Sequence, residues 1–203
     1  MELITSIPGY KVNEYLLVLS PPQDLWEKVT KVKESFAREF DAEHARWGRP
    51  HIALAKFDQY EMMEDRLINR LKTIAMGQYP FKIELKDFGS YPSHTIVINV
   101  ATKVPIQDLI RNVRSDSQRL MKLSDDNKPH FIMEPHVTIA RKLKPWQYEK
   151  AWLEYSHKNF TGRFIADSML LLKRKVGDIK YQVGARFQFE NLPVATKQGE
   201  LFA

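Results

Sequence analysis

The seven residues Pro-His-Ile-Ala-Leu-Ala-Lys at 50–56 return as Pro-His-Val-Thr-Ile-Ala-Arg at 135–141. Self-similarity of this kind marks a duplicated structural unit. Aligned position by position, the segments share Pro, His, a β-branched aliphatic, a small residue, an aliphatic, Ala and a cation. Each ends a loop, starts a strand and precedes a helical stretch. A strand period of two puts His136, Thr138 and Ala140 on one face and Val137 and Ile139 on the other. His51, Ala53 and Ala55 stand in the same way opposite Ile52 and Leu54. The aliphatics are expected to bury against helices, leaving both histidines on faces of small residues with room for a ligand.

Outward from the repeat, strand patterns cover Asn13–Ser20, Phe81–Phe88, Thr95–Val100, a long run Phe160–Lys175, and Tyr181–Glu190. Pro21-Pro22 stops the first strand, and Pro22-Gln23-Asp24 opens a helix with Leu25, Val29, Val32 and Phe36 as its buried stripe. Further helices are expected over Tyr60–Ala75, from Pro105 to Met121, and from Pro145 to about His157. Gly89 to Ser93 reads as the turn of a hairpin. The order strand, helix, strand, helix, strand, strand, helix, strand, helix, strand, strand points to antiparallel pairing and an α+β fold. Residues 193–203 read as a loose tail on a single domain.

Composition narrows the function. With no cysteine, disulfide scaffolds, thiol catalysis and thiolate metal sites are excluded. The N-terminal MELITSIPGYKVNEYLLVLS lacks signal-peptide character, and no apolar run is long enough to span a membrane. A soluble, cytoplasmic monomer is the expectation. A formal charge of +6 favours anionic partners such as nucleotides or RNA ends. Neither G-x-x-x-x-G-K nor G-x-G-x-x-G occurs, which argues against a P-loop or a dinucleotide fingerprint.

Two imidazoles at one site suit phosphodiester cleavage. That reaction needs a base to activate water or a hydroxyl and an acid to protonate the leaving oxygen, and histidine serves in either role near neutral pH. A lone strand histidine is more often structural; two at matching positions of a repeat favour function. The Thr138 hydroxyl lies within reach of whatever His136 touches. Lys142 has histidine-face parity and is the better cation for phosphate contact, whereas alternation puts Lys56 and Arg141 on the aliphatic face. No metal or other cofactor is required. His44, His94, His130 and His157 have no counterparts and lack metal-ligand spacing. Lys173, Arg174 and Lys175 read as a solvated edge, and Tyr91, Tyr181 and Phe187 as core aromatics that could otherwise stack on a base.

The paired segments resemble the two H-x-[ST]-x signatures of the two-histidine (2H) phosphoesterase superfamily, which includes 2′-5′ RNA ligase-like proteins and RNA 2′,3′-cyclic phosphodiesterases. The likeness spans nearly the whole chain, including the Phe88–Pro92 region and the closing hairpin. It implies two pseudo-symmetric lobes, each an antiparallel sheet with helices outside, enclosing a central cleft. It also implies His51 and His136 as the catalytic acid–base pair and Thr138 as a phosphate-binding hydroxyl. The substrate class would be a 2′,3′-cyclic phosphate or 2′-5′ phosphodiester in RNA termini or a small nucleotide. Ala53 departs from the pattern. The loss of one hydroxyl donor costs about 2–4 kcal/mol of transition-state stabilisation, which leaves a non-catalytic nucleotide- or RNA-end-binding module as an alternative; an RNA 2′-5′ ligase, using the same groups in the reverse reaction, is another.

Overall fold

The computed structural model describes residues 9–193. The expected loose tail therefore lies, but for Pro193, outside the described residues. Among the described residues nine strands form one antiparallel sheet in the order β7-β3-β4-β6-β2-β1-β8-β9, with the short β5 also pairing β2. The strands are β1 (Val12–Leu19), β2 (Ile52–Tyr60), β3 (Phe81–Tyr91), β4 (Thr95–Val100), β5 (His130–Phe131), β6 (His136–Ala140), β7 (Thr161–Ala166), β8 (Ser168–Lys175) and β9 (Gln182–Gln188). Four α-helices, α1 (Gln23–Glu39), α2 (Glu64–Gly77), α3 (Val104–Met121) and α4 (Pro145–Tyr155), pack on one face of it. The α+β class read from the sequence is the observed one.

The sheet has two four-stranded halves, β7-β3-β4-β6 and β2-β1-β8-β9. They meet where β2 touches β6, through the single register pair Ile52↔Val137. The halves thus share a ladder instead of standing as separate sheets. Two helices cross between them: α1, which follows β1, lies on β6, and α3, which follows β4, lies on β2, while α4 and α2 stay within their own halves on β4 and β9. One continuous core of aliphatic and aromatic side chains runs beneath both halves.

Three sequence readings shift. The run Phe160–Lys175 is two strands that break at Asp167: β7 pairs β3 at one edge and β8 pairs β1 in the other half. No glycine or proline marks this crossing. Gly89, Ser90 and Tyr91 belong to β3, and the reversal falls at Pro92–His94, where His94 takes a left-handed φ of 53°. On α1 the buried stripe is Leu25, Val29, Lys33, Phe36 and Ala37. Lys33 sits where only apolar spacing was expected, and Val32 is half-buried.

Both histidine strands carry a β-bulge at the same repeat position. Val18 pairs Ala53 and Leu17 pairs Ala55, leaving Leu54 over. Val97 pairs Thr138 and Ile96 pairs Ala140, leaving Ile139 over. Each surplus residue inverts the alternation beyond it. Ala55 and Ala140 therefore turn into the core instead of sharing the histidines' face. The burial patterns of 50–55 and 135–140 are identical: buried, half-buried, buried, half-buried, buried, buried.

Candidate active site

His51 immediately precedes β2 and His136 begins β6, and both stand on the sheet face away from the helices. Each follows a proline, and the residue before a proline is confined to extended backbone. That geometry turns the carbonyl two residues upstream back onto the ring. His51 Nδ1 lies 2.7 Å from the Arg49 carbonyl, and His136 Nδ1 lies 2.8 Å from the Glu134 carbonyl. A carbonyl only accepts, so both Nδ1 atoms carry the proton and both Nε2 atoms are left for other chemistry. The match between the two copies extends one residue further. The carbonyl three residues before each histidine is held by a helix side chain, Gly48 by Lys33 Nζ at 2.7 Å and Met133 by Gln107 Nε2 at 3.0 Å.

The Ile52↔Val137 pair fixes the neighbours on this face. Continuing its antiparallel register sets His51 opposite Thr138 and His136 opposite Ala53, and facing residues in such pairs are in side-chain contact range. Thr138 is half-buried and open to this face. The position opposite His136 holds only a methyl group. Tyr91 stands beside that ring instead: its hydroxyl is 3.5 Å from His136 Nδ1 and the rings meet edge to face at 5.2 Å. Burial first, then the Glu134 charge, raises the Tyr91 phenol's pKa, so it stays protonated at neutral pH. Asn99, paired with His136 across β4, donates its amide to the Phe88 carbonyl at 3.1 Å.

His51 is held below the ordinary imidazole range. Burial is the largest cause; the Arg49 carbonyl opposes it, and the charges of Lys33, Arg141 and His136 add to it.

The cations are arranged differently from the sequence reading. The strand ends at Ala140, and Lys142 is exposed with a left-handed φ of 55°. Its expected parity lapses, because alternation neither survives the bulge at Ile139 nor extends past the strand. Arg141 is the cation whose charge bears on His51, Lys33 and Tyr181. The carbonyl of Arg141 accepts from His44 Nε2 at 2.8 Å. Lys56, expected on the aliphatic face, is returned by the Leu54 bulge to the histidine face, where it pairs with Glu14 at 3.0 Å.

Around Ala53 the first half of this face is apolar, built on Leu16, Val18 and Leu170 with Leu172 and Tyr181 against them. Beyond it Glu14 collects Lys56, Arg174 and the Tyr181 hydroxyl. Burial works to raise the Glu14 pKa, but the hydrogen bonds from Tyr181 and Lys56 and the charges of Lys56 and Arg174 win and lower it. Lys173 points the other way, to Glu64 at 2.6 Å, on a strand covered by β9 and so not at a solvated edge. Phe187 lies in the core.

Among the described residues no three His, Cys, Asp or Glu side chains cluster as a metal site, and no helix is long and apolar enough to cross a membrane. A surface groove of about 910 Å³ between α2 and α3 is lined by Arg66, Arg70 and Arg119 and by neither histidine.

The family model described as the 2′-5′ RNA ligase superfamily matches residues 21–178. A Geobacillus kaustophilus protein named "putative phosphoesterase" is 27% identical over 137 residues, which cover 66% of this chain and 73% of that protein. The crystal structure of E. coli LigT in apo form superposes with a TM-score of 0.60 at 17% identity, over 88% of this chain and 98% of LigT. The LigT–NADP+ complex gives 0.60 at 17% identity over 89% and 99%; LigT has also been crystallised with 3′-AMP, phosphate and ATP.

Proposed function

Because this chain belongs to the 2′-5′ RNA ligase superfamily, we propose that it is a metal-independent phosphodiesterase of the cyclic phosphodiesterase type. Its substrate on this reading is a 2′,3′-cyclic phosphate or 2′-5′ phosphodiester, in RNA termini or a small nucleotide. The nucleotide and phosphate complexes of LigT favour that class. The enzyme would act as a monomer in the cytoplasm.

One observation supports the reading: two imidazoles stand on abutting strands, each with its Nδ1 against a carbonyl of its own chain, which leaves both Nε2 atoms free to act on a substrate. His51, held neutral by its surroundings, takes the proton from the attacking water. His136, entering the step as the imidazolium with Nδ1–H on the Glu134 carbonyl, gives its Nε2 proton to the departing oxygen and is left neutral, and the reverse reaction exchanges these parts. Thr138, opposite His51, donates to a non-bridging oxygen, and Arg141 offsets charge as it builds. Lys142 is a peripheral phosphate contact at most.

Purified protein should hydrolyse nucleoside 2′,3′-cyclic monophosphates in EDTA, and His136→Ala should lower kcat by at least about 10²-fold. Turnover that vanishes in EDTA would refute the metal-free mechanism. Ala53 motivates a second reading, a nucleotide- or RNA-end-binding module without turnover; binding without hydrolysis across a panel of cyclic and 2′-5′-linked substrates would establish it. Ligation uses the same groups in reverse and is distinguished by product analysis.

A further inference from the structure

We propose that Lys33 is a positioning residue that makes the two histidines inequivalent, tying down the loop before His51 and keeping that ring the proton acceptor. The inference rests on the reading of His51 as the base.

Lys33 lies on the inward stripe of α1 and is 5% exposed. Its ammonium donates to the Trp47 carbonyl at 2.8 Å and the Gly48 carbonyl at 2.7 Å. Among the described residues it has no carboxylate partner. A buried ammonium without a counter-ion is costly, and burial, then the Arg141 charge, pushes Lys33 down to about 8. An aliphatic residue would pack this stripe at lower cost, so packing does not explain the charge.

The other copy shows what the fastening alone requires. There Gln107, a neutral amide, holds the Met133 carbonyl three residues before His136. Lys33 does the same for Gly48, three residues before His51, and adds a charge. The tie reaches the ring by a short path: Gly48, at φ 81°, leads to Arg49, whose carbonyl holds His51 Nδ1. α1 covers β6 while β2 lies in the other half, so the tie also crosses the seam of the sheet. The charged or titratable groups bearing on His51 are Lys33 from α1, Arg141 following β6 and His136 on β6. His44, in the short helix Glu43–Arg46, holds the Arg141 carbonyl. None of these is a carboxylate.

The decisive experiment follows the His51 ring by NMR in full-length protein without substrate, comparing wild type with Lys33→Gln, Lys33→Met and Lys33→Arg. Removing the charge raises the His51 midpoint by about half a pH unit or more, and Lys33→Arg leaves it near the wild-type value. In kinetics on a cyclic nucleotide the acidic limb of kcat/KM moves up in parallel, and kcat falls with KM nearly unchanged. An unmoved His51 midpoint in folded Lys33→Gln or Lys33→Met overturns the proposal, as does a loss of activity that follows lost thermal stability alone. Should those variants not fold, wild type decides: the His51 resonances carry a second, smaller inflection near pH 8, where Lys33 titrates, and a single-step curve overturns it. Because the titration needs no turnover, an inactive wild type would count against the phosphodiesterase reading and not against this one.

Discussion

Continued from the Ile52↔Val137 pair, the register sets Ala53 opposite His136 in the place that mirrors Thr138 opposite His51. The Ala53 methyl packs on Leu16, Val18 and Leu170, so the first half of the site grips with shape where the second grips with a hydroxyl. Ala53→Thr adds a donor at the half-buried edge of that apolar patch. It should raise kcat on a cyclic nucleotide by about tenfold or more, within the range an oxyanion donor supplies, and should lower the thermal midpoint slightly because the hydroxyl meets aliphatic neighbours. A variant no faster than wild type would mean that Tyr91 or another donor already fills that role. At this scale the sequence showed the histidines, Ala53 and Thr138, since a period of two holds over the first four residues of each repeat. It misled beyond them. Leu54 and Ile139 are aliphatics within aliphatic runs, and nothing in their identity says that one residue has dropped out of the ladder. Lys33 stayed hidden for the opposite reason: Val32 satisfied the helical period beside it, and a lysine in a charged helix reads as surface.

The β3–β4 hairpin is the element that supports His136 from behind. Gly89 pairs Val97, next to the Asn99↔His136 pair. A Cβ at Gly89 would collide with the Asn99 side-chain amide. The obstacle is the far end of a side chain, so the hairpin survives by swinging that amide away. Gly89→Ala should therefore unfold within a few degrees of wild type while losing several-fold in kcat, as Asn99 gives up the Phe88 carbonyl and crowds the imidazole. A midpoint depressed by ten degrees would instead place the defect in the ladder. Several elements were legible because prolines punctuate them: Pro22 and Pro80 stand just before element starts, and Pro105 and Pro145 within the first two residues of α3 and α4. The break at Asp167 was not, since both flanking strands are β-rich and the partner exchange depends on contacts distant in sequence.

Over the whole molecule, a sheet joined at one register pair raises the question of whether two units melt separately. The core argues otherwise. It runs without interruption from Tyr15 and Leu17 in one half to Phe81 and Phe164 in the other, and helices launched from one half cover the other. Thermal unfolding should show one transition, with the same midpoint by far-UV circular dichroism and by tryptophan fluorescence. Ile52→Ala, which empties the fully buried seam position, should cost about 2–5 kcal/mol without splitting that transition; two resolved steps would refute the single core. The paired bulges have a consequence for how such a chain can drift. The direction of each ring depends on how many residues the backbone spends before turning inward, and much less on which residues they are. Substitution is therefore forgiven, as Ala for Thr and Lys for Arg between the copies illustrate, whereas a one-residue gain or loss in either segment would misaim its imidazole even with every neighbouring side chain preserved.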